Sequence, residues 1–216
     1  MITNKNLMRI MGFAGILGAL ILFAGDMLFY FDANSTDLKV NMGNVSDLRI
    51  KLSGISALIA TWLYLLGLIQ VYYAFSTSSK SARNMVIISF AGILTSYGVI
   101  HGAYVAIATT AKLAVLHNIN IIDATALASE ANQMLRILIY PIFALFSFVF
   151  IKEVWKKRTL YPRWIIFFFP LVPFLFQGLI KKMVSGSMEI IIMGGFLNLI
   201  VLIFFAASTV ALWNKN

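Results

Sequence analysis

The sequence predicts an all-α membrane protein, in which six transmembrane helices form a single domain over residues 1–216. Three observations lead to this prediction. Of the 216 residues, 61% are hydrophobic and only 12% are charged, whereas a soluble domain usually carries about 25% charged residues. The apolar residues form six runs, each close to the roughly 20 residues that cross a bilayer as a helix. Because backbone amides in lipid must be bonded internally, these runs are helices rather than isolated strands.

The six predicted spans follow one another along the chain. They are Met8–Phe31, Leu52–Phe75, Met85–Thr109, Gln133–Ile151, Trp164–Met183 and Glu189–Trp213. Lys5 and Arg9 precede the first run as in a signal peptide, but the run is long and no Ala-x-Ala site follows, so we interpret it as a membrane helix. Pro170 and Pro173 predict a kink in the fifth span. A weak amphipathic pattern over 111–132 predicts a helix that lies on the outer surface or over a pocket.

Basic residues predict that both termini lie in the cytoplasm, where Lys and Arg accumulate in short loops. The side that holds the termini carries ten of them: Lys5, Arg9, Lys80, Arg83, Lys152, Lys156, Lys157, Arg158, Arg163 and Lys215. The other side carries seven: Lys39, Arg49, Lys51, Lys112, Arg136, Lys181 and Lys182. Most of the acidic residues fall on this second side, which sharpens the contrast.

The connection before the fifth span, Lys152–Arg163, combines bases with Trp155, Tyr161 and the following Trp164. Bases and aromatic rings at a membrane boundary are typical of an anchor to anionic lipid headgroups. A nucleic-acid site would need a broader basic surface, so no nucleic-acid partner is predicted. The sequence leaves open whether the chain forms a homo-oligomer.

The polar residues inside the runs predict a pocket in the outer half of the bundle. Ionisable side chains in lipid are costly and face the bundle interior, where they pair. The candidate ligand-binding residues are Asp26, Tyr97, His101, Tyr104, Arg136, Tyr140, Gln177, Lys181 and Asn198. We expect Asp26 to pair with Arg136 or Lys181, and His101 to join through Tyr104. The alternative is that these groups only hold the helices together.

The residue inventory limits the chemistry. There are no cysteines and only two histidines, so a three-ligand catalytic zinc site is disfavoured and no metal site is predicted. Only His101 lies within a span, whereas a haem held between helices would take two axial ligands, so no cofactor is predicted. His101 with Asp26 resembles a general base with its orienting carboxylate. Possible nucleophiles are Ser53, Ser56, Thr95 and Ser96, but no activating motif accompanies them.

Three functions remain. The one that asks least of the sequence is binding of a lipid-like or apolar small molecule, or of a membrane partner, through the outer pocket. A small proton-linked transporter is the main alternative, since Asp and His together could carry a proton. An intramembrane lipid-acting enzyme is the third. A non-enzymatic function is preferred among the three, and no catalytic residue is named.

Three short sequence motifs support a resemblance to known families. They are Gly25-Asp26 late in the first span, Ser46-Asp47-Leu48-Arg49 before the second, and Tyr161-Pro162-Arg163 before the fifth. In these, and in its layout, the chain resembles small six-span bacterial membrane families of unknown function. The resemblance implies a multi-pass protein of the bacterial plasma membrane. It transfers no functional residues, because such families have no assigned activity.

Overall fold

The computed structural model describes residues 5–215, and every regular element in that range is a helix. The first part of the chain forms α1 (Lys5–Tyr30), the short α2 (Leu38–Asn44), α3 (Asp47–Ala74), α4 (Lys80–Leu116) and α5 (Ile121–Trp155). The second part forms a 3₁₀ helix (Arg163–Phe168) and then α6 (Leu171–Leu175), α7 (Gln177–Met183), α8 (Ser187–Gly194) and α9 (Phe196–Leu212).

The prediction of an all-α protein with several helices long and apolar enough to cross a membrane is confirmed, but the count of six continuous spans is not. By length and composition, α1, α3, α4 and α5 could each cross a membrane, and α8 with α9, bent by 63°, would add a fifth span. The predicted fifth span, 164–183, is instead divided into three short helices. Pro170 and Pro173 cause this, because proline lacks an amide donor and its ring clashes with the preceding turn.

The divided segment still follows the bundle from one end towards the other. Near its start, the ring of Phe169 stacks on Phe150 with centroids 4.4 Å apart. Further along, Phe174 meets the ring of Phe143 on α5 at 6.2 Å. Since Phe143 precedes Phe150 by two helical turns, the segment runs antiparallel to α5.

Both ends of the described chain lie at the same end of the bundle, which we call the terminal end. The Arg9 guanidinium donates to the carbonyl of Trp213 at 3.0 Å. The turn between α3 and α4 lies there too, because the Ser78 hydroxyl donates to the carbonyl of Arg158 at 2.7 Å. The opposite end, which carries α2 and the turn between α4 and α5, is called the distal end.

The predicted surface helix over 111–132 is wrong. The structure continues α4 to Leu116 and starts α5 at Ile121, where the Asn120 side chain accepts from the Ile122 amide. The large apolar residues of this segment, Leu113, Leu116, Ile119, Ile122 and Leu127, stay exposed. The short helix α2 packs instead against the side of α4 that carries the buried Ala111. A Cβ on Gly43 of α2 would lie 2.8 Å from Val115.

Glycines on α1 and α3 permit these two helices to approach closely. A Cβ on Gly67 of α3 would lie 2.6 Å from the Cα of Gly15 on α1, as expected where small residues let membrane helices approach. Beside this contact, an aromatic core fills the terminal half of the bundle; its fully buried members include Phe90, Phe146, Phe150, Phe169, Phe204 and Phe205. Large apolar side chains cover the outside as well, among them Trp62, Ile88, Leu138, Phe148 and Val210. This exterior suits a lipid environment.

Candidate functional site

Asp26 and His101 form a direct pair in the distal half of the bundle. Asp26 lies near the end of α1, His101 lies in α4, and both are buried, at 7% and 4% exposure. The Nδ1 atom of His101 lies 3.0 Å from Oδ1 of Asp26. The expected pairing of Asp26 with Arg136 or Lys181 is therefore wrong, whereas the arrangement of a base with its orienting carboxylate is formed. The histidine reaches the carboxylate because Gly25 leaves room: a Cβ there would lie 3.1 Å from His101 Nε2.

A hydrogen-bonded chain extends from the other carboxylate oxygen. The Asn198 amide of α9 donates to Oδ2 of Asp26 at 2.6 Å. The carbonyl oxygen of Asn198 in turn accepts from the Tyr64 hydroxyl of α3 at 3.2 Å. Four helices, α1, α3, α4 and α9, are thus joined through one buried carboxylate, and each of its oxygens has a partner.

The second ring nitrogen of His101 faces Ser53. Its Nε2 lies 2.9 Å from the Ser53 hydroxyl oxygen and 3.1 Å from the Ser53 carbonyl. The Ser53 hydroxyl donates to the carbonyl of Gly25 at 2.7 Å, so both oxygens near Nε2 are acceptors. A proton on Nε2 satisfies both of these oxygens, and we adopt this tautomer.

This assignment leaves one proton between Nδ1 of His101 and Oδ1 of Asp26. If the proton is on nitrogen, the pair is imidazolium and carboxylate; if it is on oxygen, both groups are neutral. In either case the pair carries no net charge and holds one proton in common. A buried pair with this composition avoids the cost of an isolated charge.

Ser53, His101 and Asp26 have the contacts of a nucleophile, a base and an orienting carboxylate. The surroundings of Ser53 do not suit that chemistry. The serine is fully buried, it is absent from the cavity lining, and its hydroxyl proton is directed to Gly25. With a proton on Nε2, His101 cannot accept one from the serine. The contact therefore ties α3 to α1 and α4.

Arg136 is the second polar centre of the distal half. Its Nε donates to the Asn132 carbonyl oxygen one turn earlier in α5 at 3.2 Å, and its NH2 group donates to the Tyr104 hydroxyl. The guanidinium carbon lies 5.3 Å from the Tyr104 ring centroid. Asn132 also donates to the carbonyl of Ile100 at 2.9 Å. These bonds fix the guanidinium between α4 and α5.

The two centres face one cavity with a volume of about 290 Å³. It is lined by Leu22, Asp26, Tyr30, Leu38, Tyr97, Ile100, His101, Tyr104, Arg136, Ile139, Tyr140, Phe143, Phe174, Gln177, Met193, Gly194, Phe196, Leu197, Asn198 and Ile200. Apart from Tyr97, the phenols and formally charged groups of this lining lie towards the distal end. Most of the lining nearer the terminal end is apolar. From Arg136 to Phe143 the helix rises by about 10 Å, which sets the scale of this change.

A second cavity of about 570 Å³ adjoins the first at the distal end. The two have in common Tyr30, Leu38, Tyr104, Arg136 and Tyr140. The second is otherwise bounded by α2 and by the distal part of α5, with polar residues such as Asp37, Lys39 and Gln133. We call the first the inner cavity and the second the vestibule.

Of the nine candidate residues predicted from sequence, eight line the inner cavity: Asp26, Tyr97, His101, Tyr104, Arg136, Tyr140, Gln177 and Asn198. Lys181 is not in the lining and is exposed at the end of α7. Sequence reasoning missed Tyr30, which lines both cavities, and the supporting role of Asn132. The spacing of Asn132 and Arg136, one turn apart, was the signal that could have found Asn132.

At the terminal end, the loop 152–163 differs in part from the predicted anchor. Trp155 is 61% exposed and lies under the Arg163 guanidinium at 5.0 Å, as an interfacial residue would. Tyr161 is buried instead, and its hydroxyl lies 2.6 Å from the Ser208 hydroxyl. Ser208 then donates to Gln70 at 2.8 Å. These bonds hold α3, α9 and the loop together.

Metal ligands do not converge in the part of the chain that the structure describes: no three His, Cys, Asp or Glu side chains between residues 5 and 215 could hold a metal ion. The lining of the inner cavity presents hydrogen-bonding side chains, the Arg136 guanidinium and apolar surface to a ligand.

Comparison with known proteins identifies a family whose function is unknown. A search of curated proteins found no match, and a search of solved structures found none either. A family model described as a family of unknown function, DUF6796, matches residues 1–215. This agrees with the resemblance to families of unknown function, and the chain belongs to the DUF6796 family.

Proposed function

We propose that this integral membrane protein binds a small amphipathic molecule in the inner cavity. The observation that carries the proposal is the order of the lining. Arg136 and the Tyr104 hydroxyl stand at the distal end, the Asp26–His101 pair follows along one wall, and apolar side chains such as Phe143 line the other end. Ligand sites are commonly apolar pockets with a few placed polar groups.

The volume limits the size of the ligand. One water occupies about 30 Å³ in the liquid, so a cavity of about 290 Å³ holds on the order of ten non-hydrogen atoms. A lipid with two acyl chains does not fit inside it. A single short tail does, with its head group at or near the vestibule.

Binding is favoured over catalysis because the only arrangement that resembles a catalytic one among the described residues is closed to a substrate. Ser53 is fully buried behind His101, and its hydroxyl proton is held by Gly25. A nucleophile must reach the substrate and lose its proton to a base. Neither condition fits this serine.

Proton-linked transport remains the second candidate, since one observation favours it. The Asp26–His101 pair holds a shared proton at the wall of the inner cavity, where a ligand could displace or receive it. A path for a transported proton or ligand from the inner cavity to the terminal end is disfavoured, because Phe90, Phe146 and Phe204 fill the bundle there. A pH-dependent flux in proteoliposomes that is lost in Asp26→Asn would establish transport, and its absence would leave binding.

For the topology, we propose that the chain crosses the membrane six times, with the fifth crossing divided at Pro170 and Pro173, and that the terminal end faces the cytoplasm. Support comes from the contact of Arg9 with Trp213, which requires an even number of crossings between them. The exposed Trp155 would then lie at the cytoplasmic headgroups, with the bases of the loop 152–163 near anionic lipid.

The proposal is tested by filling the cavity. Ile139 lines it, whereas its neighbour Leu138 is 70% exposed on the outside of α5. Native mass spectrometry of the purified chain in mild detergent would compare wild type with Ile139→Trp and Leu138→Trp. We expect an adduct of small mass on wild type and Leu138→Trp that is lost from Ile139→Trp.

The matched tryptophans separate ligand loss from a general effect of a larger side chain. Equal amounts of adduct on all three proteins would place any bound molecule outside the inner cavity and contradict the proposal. An adduct absent from wild type, under conditions that preserve membrane ligands in a control protein, would contradict it as well.

A further inference from the structure

Arg136 makes no direct ion pair with a carboxylate of the described residues. Among the described residues, the ion pairs are those of Asp26 with His101, Asp47 with Lys112 and Glu153 with Arg158. The partners of Arg136 are the neutral oxygens of Asn132 and Tyr104. These bonds orient the guanidinium but do not neutralise it, and a half-buried charge in a membrane protein is costly without a counter-charge.

The charge of the inner cavity is therefore positive. Its formally charged or titrating lining groups, apart from phenols, are Asp26, His101 and Arg136. Because the first two hold one proton in common, their net charge is zero in either protonation arrangement. The guanidinium remains as an uncompensated charge facing the cavity.

The position of Arg136 indicates how a bound molecule would be oriented in the inner cavity. It lines both the inner cavity and the vestibule, so a group bound to it stands at their junction. Ile139 and Phe143 follow on the same helix towards the terminal end and also line the inner cavity. A molecule with its polar head at Arg136 and its tail along α5 would contact first Ile139 and then Phe143.

We infer that the molecule bound in the inner cavity is an amphiphile with a single apolar tail and an oxyanion head, a carboxylate or a phosphate, which Arg136 recognises. This inference rests on the proposed function and names its ligand class. A guanidinium offers planar paired donors that match both kinds of oxyanion. Tyr140 and Gln177, which also line the cavity, supply further polar groups near the head.

The test uses photoreactive ten-carbon probes that differ only in the head: a diazirine decanoate, the corresponding monodecyl phosphate and the corresponding decanol. The purified full chain in lipid nanodiscs would be labelled over a range of probe concentrations, and labelled peptides mapped by mass spectrometry. The proteins are wild type, Arg136→Lys, Arg136→Gln and Lys181→Gln. The last removes an equal charge at an exposed position outside the cavity.

We expect the decanoate or the phosphate probe to label peptides of the inner cavity in wild type, at lower concentration than decanol. Arg136→Gln should weaken this labelling by about tenfold to a hundredfold, since a hydrogen bond to a charged group is lost. Arg136→Lys, which keeps the charge but loses the paired donors, should weaken the labelling less than Arg136→Gln does, and Lys181→Gln should match wild type. The more potent of the two anionic probes identifies the head as carboxylate or phosphate.

Two results would overturn the inference, and they differ in what they leave standing. If decanol labels the cavity as well as the anionic probes do, and Arg136→Gln changes nothing, the head is not an oxyanion although the cavity binds amphiphiles. If no probe labels cavity peptides in any variant, the proposed function fails and the ligand class fails with it. Monodisperse elution of Arg136→Gln, compared with Arg136→Lys, shows that any loss is not due to unfolding.

Discussion

Asp26 offers a pair of substitutions that separates hydrogen-bond connectivity from charge. In Asp26→Asn, the new carbonyl oxygen can accept from Asn198, and the new amide can donate to Nδ1 of His101. The histidine is then neutral and keeps its proton on Nε2, directed to Ser53. Both partners of the original carboxylate thus keep a hydrogen bond, and only the second N–H of the new amide lacks a named acceptor. In Asp26→Ala, the Asn198 amide and His101 Nδ1 both lose their partner.

The magnitude follows from the two bonds of the carboxylate, at 3.0 Å to His101 and 2.6 Å to Asn198. Hydrogen bonds between membrane helices contribute on average about 0.6 kcal/mol and at most about 1.7 kcal/mol each. We therefore expect Asp26→Ala to lower the free energy of unfolding by about 1–3 kcal/mol, with the lower value if cavity water replaces the carboxylate. For Asp26→Asn, we expect a loss of under about 1 kcal/mol.

Reversible unfolding in mixed micelles, with increasing SDS and tryptophan fluorescence as the signal, would measure both variants against wild type. Equal destabilisation by Asn and Ala would refute the reasoning, because it would mean that ionic attraction rather than connectivity stabilises the site. No loss in Asp26→Ala would show that the carboxylate contributes nothing to packing. A stable Asp26→Asn, which lacks the shared proton, is also the appropriate protein for the transport assay.

Two further predictions concern the packing and the topology of the bundle. Gly67→Ala should destabilise the protein by about 1–3 kcal/mol, because the new Cβ would lie 2.6 Å from the Cα of Gly15. Gly92→Ala, whose Cβ would meet no atom within 4 Å, should be close to neutral in the same unfolding assay. Since the chain has no cysteine, Ser81→Cys and His117→Cys report topology cleanly. A membrane-impermeant maleimide should label His117→Cys in intact cells and Ser81→Cys only after lysis, and the reverse pattern would place the terminal end outside.

The sequence was sufficient to place most of the polar lining of the cavity. Ionisable groups in lipid must face the interior, and helical spacing then puts Tyr97, His101 and Tyr104 on one face. The partner of Asp26 was not predictable in the same way. Pairing depends on which helices meet, and the close approach at Gly25 brings α4 rather than α5 to the carboxylate.

Other errors have similar causes. Lys181 was expected in the pocket because of its depth in a continuous helix, but the division of that segment leaves it exposed at the end of α7. The apolar residues of 111–132 belong to the extensions of α4 and α5. No sequence signal separated Ser53, which contacts His101, from the other candidate nucleophiles Ser56, Thr95 and Ser96, because the contact depends on which helices meet.

The central claim is that the inner cavity holds a small amphiphile with its head at Arg136. The most direct measurement is an experimental density map of the protein purified from its native membrane without added lipid. We predict an elongated density that begins beside the Arg136 guanidinium, passes the Asp26–His101 pair and ends near Phe143. A cavity closed by side chains, or one that contains only separate water peaks, would contradict the claim.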